Sequence, residues 1–205
     1  PNPLLLEHTG SGAGMLAELG VGLFDAAGRA IAPTPDGLAF LARVDVTGLD
    51  PRIGETQLTI MSDVNNPLTG EHGATAVFGP QKGVRGDAVA AIDGVLARYA
   101  SLVEAAAGRR AAHNPGAGAA GGLGFALQLL GAKFKSGADV VADLNGLDQA
   151  LDGAAWAITG EGRSDAQTRM RKAPGVVAER ARALNVALSL LSGAIDSAAL
   201  PALNA

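Results

Sequence analysis

Ala154-Ala-Trp-Ala-Ile-Thr159 runs directly into Gly160-Glu-Gly-Arg-Ser-Asp-Ala-Gln-Thr168. The first six residues are small and apolar and stop at a glycine, the pattern of a short buried strand. Pro174–Leu184 follows as a helix with proline near its start, where the missing N–H has no intrahelical partner to lose. Val186–Leu191 is then a second strand, closed by Ser192-Gly193. Strands that alternate with helices place the chain in the α/β class.

Reading outward, the alternation continues. Ser11–Gly20 reads as a small-residue helix with Gly20 just beyond its end. Val21–Asp25 reads as a strand, Asp25–Gly28 as a turn, and Gly37–Ala42 as a short helix. Asp45–Pro51 reads as a connection. Gln57–Ser62 is β-rich and feeds a turn of Asp63, Asn65, Asn66 and Pro67. Thr69–Gly86 reads as a glycine-rich loop. Asp87–Ala107 carries Val89, Ile92, Val95, Leu96, Tyr99, Leu102 and Val103 at a 3.6-residue period, so it is an amphipathic helix. Pro115-Gly-Ala-Gly-Ala-Ala-Gly-Gly-Leu-Gly124 comes next, then a helix through Leu130 that ends at Gly131. Val140–Leu144 fits either element, and Leu147–Leu151 is a short helix.

The 205 residues are 48% hydrophobic and 18% charged, enough apolar material for a packed core and too little charge for a disordered chain. A net charge of −4 and an aromatic share of 3% argue against a nucleic-acid surface. The absence of cysteine removes disulfide, thiolate-metal and thiol-nucleophile chemistry and fits a cytoplasmic protein. No apolar run is long enough to span a membrane. The three histidines, His8, His72 and His113, lack metal-ligand spacing.

Three polar stretches carry candidate chemistry. In open α/β sheets ligands bind beyond the carboxyl ends of strands, and Asp63 stands at such an end. A carboxylate there can orient a hydroxyl, take its proton or hold Mg²⁺; alternatively Asp63 caps the turn at Val64–Asn65. Gly116, Gly118 and Gly121 spell GxGxxG, extended by Gly122. Such a run can aim N–H groups at phosphate, or it can let a helix pack closely. No strand precedes it, so the dinucleotide fingerprint is not met. Lys82 lies between glycines and can neutralise phosphate charge or be a solvated surface lysine. Glu161, Arg163, Asp165, Gln167 and Thr168 form the densest polar stretch. Carboxylates with arginine suit metal-assisted phosphoryl transfer, and Ser164 or Asp165 can equally cap a helix.

Taken together, Ser62–Gly70 with Phe78–Gly83, Pro115–Gly124, and Ile158–Thr168 with Lys172-Ala-Pro174 resemble the bacterial glycerate kinases of type I. The resemblance covers most of Ser11–Asp196. It implies a two-domain α/β fold with a Rossmann-like parallel sheet and an active site in the interdomain cleft. It implies ATP- and Mg²⁺-dependent phosphorylation of D-glycerate to 2-phosphoglycerate, with a homo-oligomer left open. A kinase for another small hydroxy acid, or a non-catalytic nucleotide- or anion-binding domain, are the alternatives. Carried onto this chain, Asp63, Glu161 and Asp165 become catalytic candidates, with Asp165 also a metal ligand. Arg163, Asn65 and Lys172 become glycerate-binding candidates, and Lys82, Gly116, Gly118, Gly121 and Gly122 phosphate-binding ones. Residues 1–12 depart from the family pattern and read as a remnant of an N-terminal segment that joins 13–205 out of its usual order. The expected glycine before Lys172 is Arg171.

Overall fold

A computed structural model of the chain describes residues 11–164 and 172–196. The chain divides into two compact units, one ending at Phe134 and one beginning at Lys135. The expected remnant at residues 1–12 lies outside the described residues apart from Ser11 and Gly12.

The first unit runs α1 (Ala13–Glu18), β1 (Gly22–Phe24), α2 (Pro35–Leu38), β2 (Arg43–Asp45), α3 (Arg52–Glu55), β3 (Thr59–Met61), α4 (Ala74–Phe78), α5 (Asp87–Ala107) and α6 (Leu123–Leu129). It ends in β4 (Lys133–Lys135), whose Lys133 N–H donates to Leu58 O at 3.0 Å. The long helix α5 has the bounds its periodicity predicts and stops at Gly108, which adopts the left-handed conformation. Its buried stripe is Leu96, Tyr99, Ala100 and Val103. Tyr99 meets Phe125 edge to face, with ring centroids 5.8 Å apart. Leu16, Leu23, Leu38, Leu41 and Leu68 complete this core. Burial pushes the Tyr99 phenol well above its ordinary pKa, and the hydroxyl donates to Ser11 O at 3.3 Å.

Several local expectations need correction. Thr69–Gly86 is not wholly loop: it holds α4 and a 3₁₀ turn at Pro80–Lys82. Glycines at 70, 73, 79 and 83 mask a five-residue apolar segment whose helicity comes from packing rather than from a side-chain cap. The connection at 45–51 is preceded by β2, which pairs antiparallel with β1 (Gly22↔Asp45, Phe24↔Arg43). The Arg43 guanidinium sits 4.0 Å from the centroid of the Phe24 ring, a contact that helps set this register.

The second unit is α7 (Gly137–Leu144), α8 (Leu147–Leu151), β5 (Trp156–Ser164), α9 (Ala173–Ala183) and β6 (Ala187–Ile195). The ambiguous Val140–Leu144 belongs to a helix because Ser136 caps it: Ser136 Oγ accepts the Asp139 N–H at 3.0 Å and donates to Asp139 Oδ2 at 2.7 Å. β5 and β6 pair in parallel from Trp156↔Ala187 to Ser164↔Ile195, with α9 between them in the chain. This is the strand–helix–strand unit read from Ala154–Leu191. Leu151, Ala181 and Val186 form its small core. One face of the pair stays open, with Trp156 59%, Ile158 57% and Leu191 65% exposed. The Rossmann-like parallel sheet is thus represented among the described residues by this two-stranded pair, while β1–β2 is antiparallel.

Gly160–Ser164 is a further correction. This segment reads as a polar turn, yet β5 continues through it because its backbone pairs with β6 out to Ile195. Ser164 therefore lies in a strand and is not a helix cap.

Arg180 knits the helices of this unit together. Its guanidinium reaches Asp143 Oδ1 at 2.7 Å, Asp148 Oδ1 at 3.2 Å and Asp139 Oδ1 at 3.5 Å. The Lys135 ammonium, 2.8 Å from Asp143 Oδ2, joins Arg180 in holding the Asp143 carboxyl below its usual range.

Candidate active site

β3 ends at Met61, and the chain then turns. Ser62 Oγ accepts the Val64 N–H at 3.2 Å, so the turn is held by the serine hydroxyl and not by the Asp63 carboxylate. Asp63 is exposed and has no hydrogen bond or ion pair among the described residues. Its oxygens are available to a ligand. Asn65, two residues on, is exposed as well.

What holds this loop is the glycine run. Gly118 N–H donates to Asn66 O at 2.9 Å, and Leu68 N–H donates to Ala112 O at 2.8 Å. A Cβ on Gly118 would stand 2.4 Å from Pro67 O, so only glycine allows this approach. Gly122 combines φ +106° with a Cβ position 2.8 Å from Ser11 Cα, and a Cβ on Gly116 would meet the Phe134 ring at 2.4 Å. Close packing therefore explains Gly116, Gly118 and Gly122. It also places the run directly behind the Asp63 loop. Gly121 differs: it lines a small cavity together with Lys82. Gly118→Ala is expected to destabilise the first unit by about 1–3 kcal/mol through overpacking against backbone. A urea midpoint equal to the parent's would show that the loop yields freely.

In the second unit Glu161 and Ser164 come together. Ser164 Oγ donates to Glu161 Oε1 at 2.7 Å and lies 2.9 Å from Ser192 Oγ. Ser192 Oγ accepts the Ser164 N–H at 3.1 Å and donates to Ala194 O at 2.6 Å. Ser164 is fully buried, so this chain of hydroxyls fixes the Glu161 carboxylate against the strand pair. Arg163 is exposed on β5 with no partner among the described residues. Lys172 is exposed at the cap position of α9. Asp165, Gln167 and Thr168 lie outside the described residues.

Some contributors escape sequence reading. Ser164 and Ser192 are ordinary serines until the strand register joins them. Glu104 Oε1 accepts the N–H groups of Ala111 and Ala112, each at 2.7 Å, and so holds the turn that leads into the glycine run. Asp93 does the same for Gly70, accepting its N–H at 3.0 Å. An open cleft of about 590 Å³ runs beside α5 and is lined in part by Thr69, Ser101, Arg110 and His113. No helix among the described residues is long and apolar enough to cross a membrane. No group of three or more His, Asp or Glu side chains able to hold a metal ion occurs among them either.

A loop carboxylate anchored on a glycine run, with a second polar strand end in an α/β framework, agrees with the match to known families. The chain belongs to the glycerate kinase family, whose description it matches over residues 8–204. It is 43% identical to a glycerate kinase of Bacillus subtilis strain 168 over 186 residues, which is 90% of this chain and 49% of that protein. It is 41% identical to a glycerate 2-kinase of Escherichia coli K12 over 172 residues, 83% of this chain and 45% of that one. A Salmonella typhimurium LT2 crystal structure described as a glycerate kinase 2 superposes with a TM-score of 0.78 at 39% identity. That match covers 92% of this chain and 53% of the Salmonella chain. The chain spans about half the length of the curated relatives it matches.

Proposed function

We propose that the protein carrying this chain transfers the γ-phosphoryl group of ATP to D-glycerate, forming 2-phosphoglycerate and ADP in the cytoplasm. The observation that supports this most is the Asp63 carboxylate. It is unpaired among the described residues, two residues past a strand end, on a loop backed by Gly118, in a family whose members are named for this reaction. Asp63 accepts the proton of the glycerate hydroxyl as its oxygen bonds to the γ-phosphorus, and the bond from that phosphorus to the β-phosphate oxygen breaks. Lys82 and Gly121 face the donor phosphates. Asn65, Arg163 and Lys172 hold the glycerate carboxylate, and Glu161 and Asp165 complete the charged surroundings. Mg²⁺ needs only one or two carboxylates plus phosphate oxygens, a set that Asp63 or Asp165 can supply without a three-residue cage. When bound, the ion neutralises charge on the phosphates.

The test is ADP release by the full-length protein, coupled to a spectroscopic readout, with and without D-glycerate. Glycerate-dependent release is the expected result. ATP turnover that ignores glycerate and responds to another hydroxy acid would reassign the substrate. No turnover with any of them, alongside retained nucleotide binding, would leave a non-catalytic binding domain.

A further inference from the structure

Thr75 is the second residue of α4, only 2% exposed, and its Oγ1 has no hydrogen-bond partner. A buried hydroxyl left in this state costs about 1–3 kcal/mol, and native structures keep few of them. Thr75 lines the same cavity as Lys82 and Gly121, whose other walls include Ala74, Phe78 and Leu96. The cavity measures about 10 Å³, room for roughly one oxygen atom. Its apolar walls strengthen any charge-assisted hydrogen bond made there.

The local fold delivers the two polar groups to one place. Gly79 follows α4 directly, and its N–H donates to Thr75 O at 2.9 Å. A Cβ at Gly79 would stand 2.3 Å from that same oxygen, so the chain closes tightly on Thr75 before turning. The Lys82 N–H then donates to Gly79 O at 2.9 Å, which folds the 3₁₀ turn back. Lys82 is half-buried, and its ammonium has no acidic partner among the described residues. A cation without an anion, beside a hydroxyl without an acceptor, is a half-made site for an anionic oxygen.

We infer that Thr75 Oγ1 donates a hydrogen bond to one phosphoryl oxygen, whose charge Lys82 balances. This rests on the phosphoryl-transfer reading above and adds a ligand-binding residue to it. The oxygen belongs either to the donor's phosphate chain or to the phosphorylated product, and the two are separated by using tripolyphosphate and 2-phosphoglycerate as distinct probes.

The experiment is calorimetric titration of each probe into the parent, Thr75→Val and Thr75→Ser proteins at full length, with thermal unfolding of each ligand-free protein. Thr75→Val keeps the shape and removes the hydroxyl. It should weaken at least one probe about tenfold or more, while Thr75→Ser binds like the parent. Without ligand, Thr75→Val should unfold no earlier than the parent, because it removes an unpaired group. Unchanged affinity for both probes in Thr75→Val overturns the inference, as does an equal loss in Thr75→Ser, which would trace the effect to the γ-methyl. Binding needs no turnover, so the two readings fail separately. Hydroxyl-dependent binding without glycerate turnover sinks the kinase assignment alone. Turnover with hydroxyl-independent binding sinks the role of Thr75 alone.

Discussion

Replacing Phe125 with alanine is expected to remove about 3–5 kcal/mol from the stability of the first unit, the usual cost of emptying a fully buried aromatic site. Phe125 is wholly inaccessible, stacks edge-on against Tyr99, and begins the first turn of α6. Its N–H donates to Ala117 O at 2.9 Å, which ties the helix to the glycine run. Alanine would keep that backbone bond and leave a void where α5 and α6 meet. The neighbours cannot collapse into it easily, because Gly124 holds the backbone on one side: a Cβ there would stand 2.1 Å from Gly116 O. Phe125→Leu should lose less than half as much, since leucine refills most of the volume. Denaturant unfolding measures both, and a Phe125→Ala loss under about 1 kcal/mol would mean that this ring pair is not the centre of the core.

Asp63→Asn is expected to lower turnover about 10²- to 10⁴-fold, the usual contribution of a positioned proton acceptor. The fold should not change, since the carboxylate is exposed and holds nothing among the described residues. The amide retains shape and hydrogen-bonding reach, so glycerate should still bind. Steady-state rates, with glycerate affinity measured separately, check the two halves of this expectation. An Asp63→Asn enzyme that turns over normally would return Asp63 to the role of a turn residue. Loss of glycerate binding with an unchanged maximal rate would make it a substrate ligand rather than a base.

What could be read from the chain followed from how local the determining physics was. The helix at Asp87–Ala107 was legible to the residue because a long apolar stripe and a terminal Gly108 both mark it. The strand–helix–strand order of residues 154–195 was legible for similar reasons. The end of β5 was not. Glycines and charges at 160–164 look like a turn, and only pairing with β6 makes them strand. α4 was hidden for the opposite reason, a helix too short for periodicity to register. Among site residues, Asp63 and Lys82 stood out because a charged residue between turn signals is conspicuous. Thr75 and Ser164 did not, because their importance depends on being buried, and burial is decided by distant parts of the chain. The glycine run shows the limit most clearly. Its pattern suggested ligand contact and close packing alike, and distances to Pro67, Ser11 and Phe134 were needed to find how fully packing accounts for three of its members.

The link from Glu161 through Ser164 to Ser192 makes the placement of a charged group depend on strand registry. Sliding β6 by one residue against β5 would turn Ser192 to the other side of the pair and break the hydroxyl bridge. Glu161 would then lose the contact that fixes its rotamer. The ladder from Trp156↔Ala187 to Ser164↔Ile195 thus acts as a ruler for the site, and mutations far down β6 that loosen its alignment should disorder a carboxylate they never touch.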